Sequence, residues 1–380
     1  MQHLSTPWAT PETHLSRIRP DHPVMYLSPA VLQATARRFQ QGFDGLVTYA
    51  VKANDRAEVL ANLVAAGVTA FDVASPVEMQ AVRAALPDAV LHYNNPVRSE
   101  AEIAAGIAHQ VASWSVDDAT ELDKLAEVPK SCEISVRFAL PVEGAAYDFG
   151  EKFGATKDEA TVLLRCVQEQ GWSPSLCFHP GTQCEDASAW ARYIEAAAEI
   201  AQAAGVTLAR LNVGGGFAAH RNGQAPDLEG VFQTIRETVD RVFADTAPAL
   251  ICEPGRAMVS EAFVLATRIK GMKQDGRTVF LNDGIYGGLV DLRDMGLMDR
   301  VRVVSDEGTE RTGSGMARIV FGPTCDSLDR LPDGLVLPDD TQTGDYLLIA
   351  GMGAYSVAMS TVFNGYGLRD VATVLSFSGQ

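Results

Sequence analysis

Six stretches of this 380-residue chain carry side chains that could do chemistry together: Lys52, Asp72, Arg137, His179 with Gly181-Thr182, Gly214-Gly215-Gly216, and Glu253-Pro254-Gly255-Arg256. A lysine amine condenses with an aldehyde. Successive glycines leave backbone N–H groups bare enough to cradle a phosphate monoester. A carboxylate beside a pyridine nitrogen keeps it protonated, and an imidazole can stack on such a ring. Pyridoxal phosphate calls for these services together. The set therefore predicts that cofactor, with Lys52 as the Schiff-base lysine, Glu253 at the ring nitrogen and His179 on the ring face. Taken singly, each residue has a plainer explanation. A lone lysine is usually a solvated charge. The triple glycine lacks both the GxGxxG spacing of a dinucleotide site and the GKS/GKT ending of a nucleotide phosphate loop. His179 alone would be a structural histidine, and Glu78 is explained as the capping-box partner of Ser75.

The elements that would position these residues are legible. From Leu46 onward, apolar β-rich runs alternate with amphipathic helical ones. Strands are expected at 47–51, 69–74, 90–93, 111–116, 133–140, 175–179, 209–213 and 249–253. Helices are expected at 57–66, 76–86, 158–168, 189–203 and 228–243. Eight such units predict an α/β fold with an N-terminal (β/α)8 TIM-type barrel, a doubly wound open sheet being the alternative. Barrel chemistry sits at the carboxyl ends of the strands, and there the six stretches fall. That shared placement outweighs the separate plain readings. Beyond Arg256 the pattern changes to strands at 262–269, 277–281, 301–304, 318–321 and 346–349 with little helix, which predicts a C-terminal all-β domain. The expected division is 28–262 for the cofactor-binding barrel and 263–380, with the N-terminal segment 1–27, for the β domain. The apolar run 23–27 would add a strand to it.

Composition narrows the remaining classes. With 47% hydrophobic and 21% charged residues the chain reads as well packed and globular. A net charge of −17 argues against nucleic acid and against anionic membranes as partners. Met1–Pro20 lacks the apolar core of a secretory signal, and no apolar run reaches membrane-spanning length. The six cysteines show neither a CxxC pair nor metal-ligand spacing, which fits a reducing, cytoplasmic compartment and no metal.

The motifs resemble those of the alanine-racemase-fold (fold type III) decarboxylases, most closely the ornithine/lysine branch. The matching stretches are Tyr49–Asn54, Phe71–Ser75, Lys152-Phe153-Gly154, Phe178–Thr182, Val213–Phe217, Glu253–Arg256, Asn282–Gly287, Gly322–Asp326 and Gly353-Ala354-Tyr355. They run in matching order through nearly the whole chain. The resemblance implies that Lys52 forms the internal aldimine, His179 stacks on the ring and Glu253 holds the pyridine nitrogen. Gly214, Gly215, Gly216, Thr182, Arg256 and Tyr355 would hold the phosphate, with Asp72 and Arg137 lining the site. It further implies a head-to-tail homodimer with two shared sites. There Cys325 would reprotonate the substrate carbon across the interface, and Asp326 would receive the distal ammonium of a diamino acid.

The chain departs from the family pattern in places. Thr182 replaces a serine but keeps the hydroxyl, and Pro180 replaces an aliphatic residue. After Gly287 the usual Tyr-Asp pair is missing. The run 288–295 offers Asp291 and Asp294 instead, with Tyr286 beside them, while Arg293 would repel a second ammonium. The expected activity is decarboxylation of a basic L-amino acid, ornithine or lysine, to a diamine and CO2. Alternatives are a diaminopimelate or other amino-acid decarboxylase of the same fold, or a non-catalytic regulatory homologue. Cys325-Asp326-Ser327, in place of a Cys-Glu-Ser run, favours a plain ammonium tail over a second amino-acid head group. The segment also argues against a racemase.

Overall fold

The computed structural model describes residues 6–140 and 152–377. The ends of the expected β domain, 1–5 and 378–380, lie outside the described residues. Two compact units form. One is built from Thr35–Ala218 and Pro226–Met258. The other includes the chain up to Ala34, Ala219–Ala225 and everything from Val259 onward.

The chain begins with helix α1 (Pro11–Ile18), strand β1 (Val24–Leu27) and helix α2 (Pro29–Gly42). Eight strands follow: β2 (Leu46–Ala50), β3 (Ala70–Val73), β4 (Val90–Tyr93), β5 (Ser113–Val116), β6 (Glu133–Arg137), β7 (Ser173–Cys177), β8 (Arg210–Asn212) and β9 (Ala249–Cys252). They are parallel and close in chain order into a barrel, the seam being Leu46↔Ile251 and Val47↔Cys252. The closed barrel, not the open sheet, is the fold. Between the strands lie α3 (Ala57–Ala65), α4 (Pro76–Ala85), α5 (Glu100–Ala108), α6 (Ala119–Asp123), α7 (Lys157–Glu169), α8 (Ala187–Ala204) and α9 (Leu228–Phe243). Strand side chains alternate faces. Trp114 packs outward on Gly106 of α5, so Ser113 and Ser115 turn inward.

Helix starts follow the capping chemistry. At α4, Ser75 Oγ accepts from the Glu78 N–H at 3.3 Å and Pro76 opens the first turn. The Glu78 carboxylate accepts from the Ala74 N–H at 2.6 Å rather than from Ser75, so the return half of that capping box is displaced by one residue. Complete boxes occur at α5 through Ser99 and Glu102, and at α7 through Thr156 and Glu159. Several expected strands end earlier on the barrel rim: 47–51 becomes Leu46–Ala50, 133–140 stops at Arg137 and 249–253 at Cys252. The run 175–179 was expected to end at His179, but β7 ends at Cys177. Pro180 has no N–H for a ladder, and the Gly181 N–H turns back to His179, so His179 sits in the loop.

After the short helix α10 (Arg256–Val259) come β10 (Phe263–Lys273), β11 (Thr278–Leu281), helix α11 (Val290–Met295), β12 (Val301–Val304), β13 (Gly315–Ala317), β14 (Ile319–Phe321), β15 (Val336–Pro338), β16 (Tyr346–Ala350) and β17 (Asp370–Thr373). The main sheet runs β12-β16-β10-β1-β17, with β11 branching from β10 and β14 pairing with β11. The apolar segment near the N-terminus thus joins the β domain as expected, as an interior strand antiparallel to β10 and parallel to β17. Its side chains Val24 and Tyr26 pack with Val264, Tyr346 and Leu348. The run 288–295, expected as loop, contains α11. Six residues are too few for a periodicity to register, and the helix is anchored by Asp291, whose carboxylate pairs with Arg221 at 2.6 Å in a buried ion pair.

Candidate active site

Lys52 stands in a single 3-10 turn, Val51–Ala53, directly after β2. The turn is held from beneath, because the Tyr49 hydroxyl donates to the Asn54 carbonyl at 2.8 Å. Asp72 lies in β3, Arg137 closes β6, and Glu253 directly follows β9. These four line one cavity of about 240 Å³ together with His179, Asn94, Asn95, Cys177, Lys152 and Phe153. The carboxyl-end rule therefore brings the expected lysine, acids, arginine and histidine together.

Glu253 is tightly oriented. The amides of Asn94 and Asn212 both donate to its Oε1, so Oε2 is the oxygen left for a ring nitrogen. Asn212 also accepts from the Gly214 N–H at 2.9 Å through Oδ1, tying the acid to the triple glycine. Burial raises the Glu253 carboxyl above its ordinary range, opposed by the Asn212 hydrogen bond and by Lys52. Asp72 is raised well above its range, first by burial and then by Glu253. Two acids in one enclosed space hold their protons more tightly than either would alone. A cation entering beside them would reverse that.

The His179 Nδ1 accepts from the Gly181 N–H at 3.1 Å, so its proton belongs on Nε2. Enclosure by the cavity wall, then Lys52 and Arg137, hold its pKa well below the usual value. The ring is therefore neutral. Arg137 lies over the Phe153 ring, 5.2 Å from its centre. The neighbouring Gly154 N–H donates to Asp117 at 2.9 Å.

The triple glycine has a steric reason. Gly214 takes φ +71° and Gly216 φ +84°. A Cβ on Gly214 would strike the Phe178 carbonyl, and one on Gly216 the Gly181 carbonyl. One on Gly215 would come within 2.7 Å of the Glu253 carbonyl and 3.4 Å of His179 Nε2. Only bare backbone fits between the two loops. Thr182 follows Gly181, half-buried, and Arg256 is buried at the start of α10. A cradle that a Cβ would fill, a lysine, and a carboxylate with one oxygen left for a ring nitrogen together fit pyridoxal phosphate.

The second unit carries the remaining candidates. The Tyr286 hydroxyl donates to Asp326 Oδ2 at 2.6 Å, and the Leu328 N–H donates to Oδ1 at 2.9 Å. Cys325 is exposed, its thiol 3.4 Å from Asn364 Oδ1. Buried Asp329 ties the two segments together by accepting from the N–H groups of Ile285 and Thr324 and from the Thr324 hydroxyl. Tyr355 adopts φ +64°. Asp294 makes no hydrogen bond to Tyr286 or Asp326 among the described residues. It forms a two-pronged ion pair with the adjacent Arg293.

Reasoning from sequence missed Asn94, Asn212, Asp329 and Asn364. Asn94 and Asn212 were within reach of the strand-end rule, since one follows β4 and the other ends β8. Their type, rather than their place, hid them, because neither side chain titrates. Asp329 and Asn364 gave no signal, because their partners are distant in the chain or conformational.

Among the described residues, no helix is long and apolar enough to cross a membrane. Residues 30–260 match the family profile of the pyridoxal-dependent decarboxylases, pyridoxal binding domain. A lysine/ornithine decarboxylase of Selenomonas ruminantium is 32% identical over 335 residues, covering 85% of this chain and 81% of that protein. An ornithine decarboxylase of Caenorhabditis elegans is 32% identical over 343 residues, covering 84% and 79%. The crystal structure of lysine decarboxylase from S. ruminantium superposes with a TM-score of 0.83 at 28% identity, covering 99% of this chain and 98% of that one. The chain belongs to the pyridoxal-dependent decarboxylases, in their ornithine/lysine branch, as an amino-acid decarboxylase whose cofactor is pyridoxal phosphate.

Proposed function

We propose that this protein decarboxylates a basic L-amino acid, ornithine or lysine, to a diamine and CO2. The observation that carries the reading is the amide-held Glu253 in one cavity with Lys52, backed by the glycine cradle. Bound pyridoxal phosphate supplies an electron sink for the pair left behind when CO2 departs. Lys52 Nζ would hold the cofactor's aldehyde carbon. Glu253 keeps a proton at the ring nitrogen. His179, neutral, offers its ring face without placing a second charge there. The N–H groups of Gly214, Gly215 and Gly216, with Thr182, Arg256 and Tyr355, bind the phosphate, while Asp72 and Arg137 line the site. The Cys325 thiol returns a proton to the substrate carbon.

Asp326, oriented by the Tyr286 hydroxyl, receives the distal ammonium. Asp294 would reach a tail only by giving up Arg293, so the tail is assigned to Asp326 and Tyr286. Cys325 and Asp326 act from the partner in a homodimer with shared sites. Their surface supports this, since Leu328, Val362 and Phe363 nearby in the same unit are 71%, 72% and 45% exposed, apolar area that an assembly would cover. The compartment assigned is the cytoplasm. The test is direct: purified protein with pyridoxal phosphate is given a panel of amino acids, and the amine is identified. A diamine from ornithine or lysine is expected. Release of no amine from any basic amino acid refutes the proposal.

A further inference from the structure

We propose that Asn94 is a positioning residue for the cofactor's ring nitrogen: its amide holds the buried acid Glu253, in the cavity that Asp72 also lines, and keeps Glu253 as the carboxylate that meets that nitrogen. The proposal rests on the pyridoxal reading above and adds to it a residue outside the reacting set. Asn94 directly follows β4 and lines the same cavity as both acids. Its Nδ2 donates to Glu253 Oε1. Its side chain also favours the ionised form of Asp72, which lines the same cavity. The Asn94 Oδ1 is buried without a hydrogen-bond partner.

The residue type matters here. Two enclosed acids compete for a proton, and the one that keeps it cannot serve a ring nitrogen. A neutral amide donor favours the ionised form of both without adding charge. A lysine in its place would compete with the protonated ring, and a third carboxyl would deepen the repulsion. The charged and titratable groups that face the pair come from several elements. Lys52 after β2 and Arg137 on β6 favour ionisation of Glu253, and Lys52 favours that of Asp72. Glu78 on α4 opposes ionisation of Asp72. Lys152, the Cys177 thiol and the neutral His179 also line the cavity, and the buried Cys252 thiol precedes Glu253 on β9. Asn212 shares the load at Oε1 and, through Gly214, ties the ring-nitrogen end of the site to the phosphate end. Asn94 also lines the cavity beside the second acid.

The experiment measures pyridoxal phosphate binding to cofactor-free protein by its visible absorbance, from pH 6 to 9, in wild type, Asn94→Ala, Asn94→Ser and Asn94→Asp. Circular dichroism of each cofactor-free variant establishes that the barrel has folded. Loss of a hydrogen bond to a charged group predicts an affinity about 10- to 100-fold weaker in Asn94→Ala. Asn94→Ser, which keeps one donor, recovers part of it. Asn94→Asp binds worst at high pH and gains relative to Asn94→Ala as the pH falls, because its added carboxyl can donate only when protonated. A residue that merely fills space would give the same pH profile in the Ala and Asp variants. Folded Asn94→Ala or Asn94→Ser binding within twofold of wild type, with an unchanged profile, overturns the role of Asn94 and leaves the function intact. A wild type that shows no absorbance band dependent on Lys52 overturns both.

Discussion

Asp283 gives the stability prediction that can be worked most fully. It lies in the segment carrying Tyr286, fully buried. Its Oδ2 accepts from the Gly288 N–H at 2.9 Å, while Oδ1 is enclosed without a hydrogen-bond partner. Burial, helped by the neighbouring Asp329 charge, holds this carboxyl up at about 7 against an ordinary 3.8. A carboxyl raised on folding binds its proton more tightly in the folded state, so folding is favoured at low pH. That contribution is lost from about pH 4 upward and levels off above the folded value, near pH 7. In full the rise is worth about 4 kcal/mol, of which about 1.4 kcal/mol falls between pH 6 and pH 8.5. Asp283→Asn keeps an acceptor for Gly288 and has no charge to bury. Relative to wild type it should gain about 1.4 kcal/mol between those two pH values. The assay is urea unfolding of the cofactor-free proteins at both pH values, well above the acidic range where a chain of net charge −17 nears neutrality. A stability difference that stays constant from pH 6 to 8.5 would show that Asp283 is not a buried, strained acid.

Other outcomes follow from the same geometry. Lys52→Ala should lose the visible absorbance of bound cofactor and all amine production, both read on the purified variant. Gly215→Ala would press its methyl to 2.7 Å from the Glu253 carbonyl. The strain of about 1–3 kcal/mol should appear as cofactor affinity weakened by about tenfold or more, measured by titration. Cys325→Ala should keep the cofactor yet lose clean amine formation, and an unchanged amine yield by chromatography would remove its assigned role. Mixing inactive Lys52→Ala and Cys325→Ala subunits should restore part of the activity. Mixtures that stay inactive despite proven subunit exchange would rule out shared sites.

The barrel was legible because buried parallel strands read as short apolar runs and because serine–glutamate caps punctuate the helices. β4, β12 and α9 appear with their expected bounds. Strand ends on the active rim were less legible. There the chain leaves the ladder to form loops, and hydrophobic periodicity carries no information about where. β7 stopped short of His179 because of a proline and a turn, features that act over two residues. That β1 joins the β domain was legible in its apolar run, but its place between β10 and β17 was not, since those neighbours are more than two hundred residues away in the chain.

By itself the sequence determined the chemistry on offer: a lysine, a buried acid, an imidazole and a run of glycines at the carboxyl ends of successive strands, and hence the cofactor. That much is local, because residue type and strand position are both written along the chain. Tertiary structure alone decided which polar groups meet. It gave Glu253 two amide donors from strand ends far apart in sequence, set Asp72 close enough to compete with it for a proton, and engaged Asp291 with Arg221. Hydrogen bonds and desolvation act over a few ångströms of space, and no spacing along a chain encodes a distance closed only when eight strands meet.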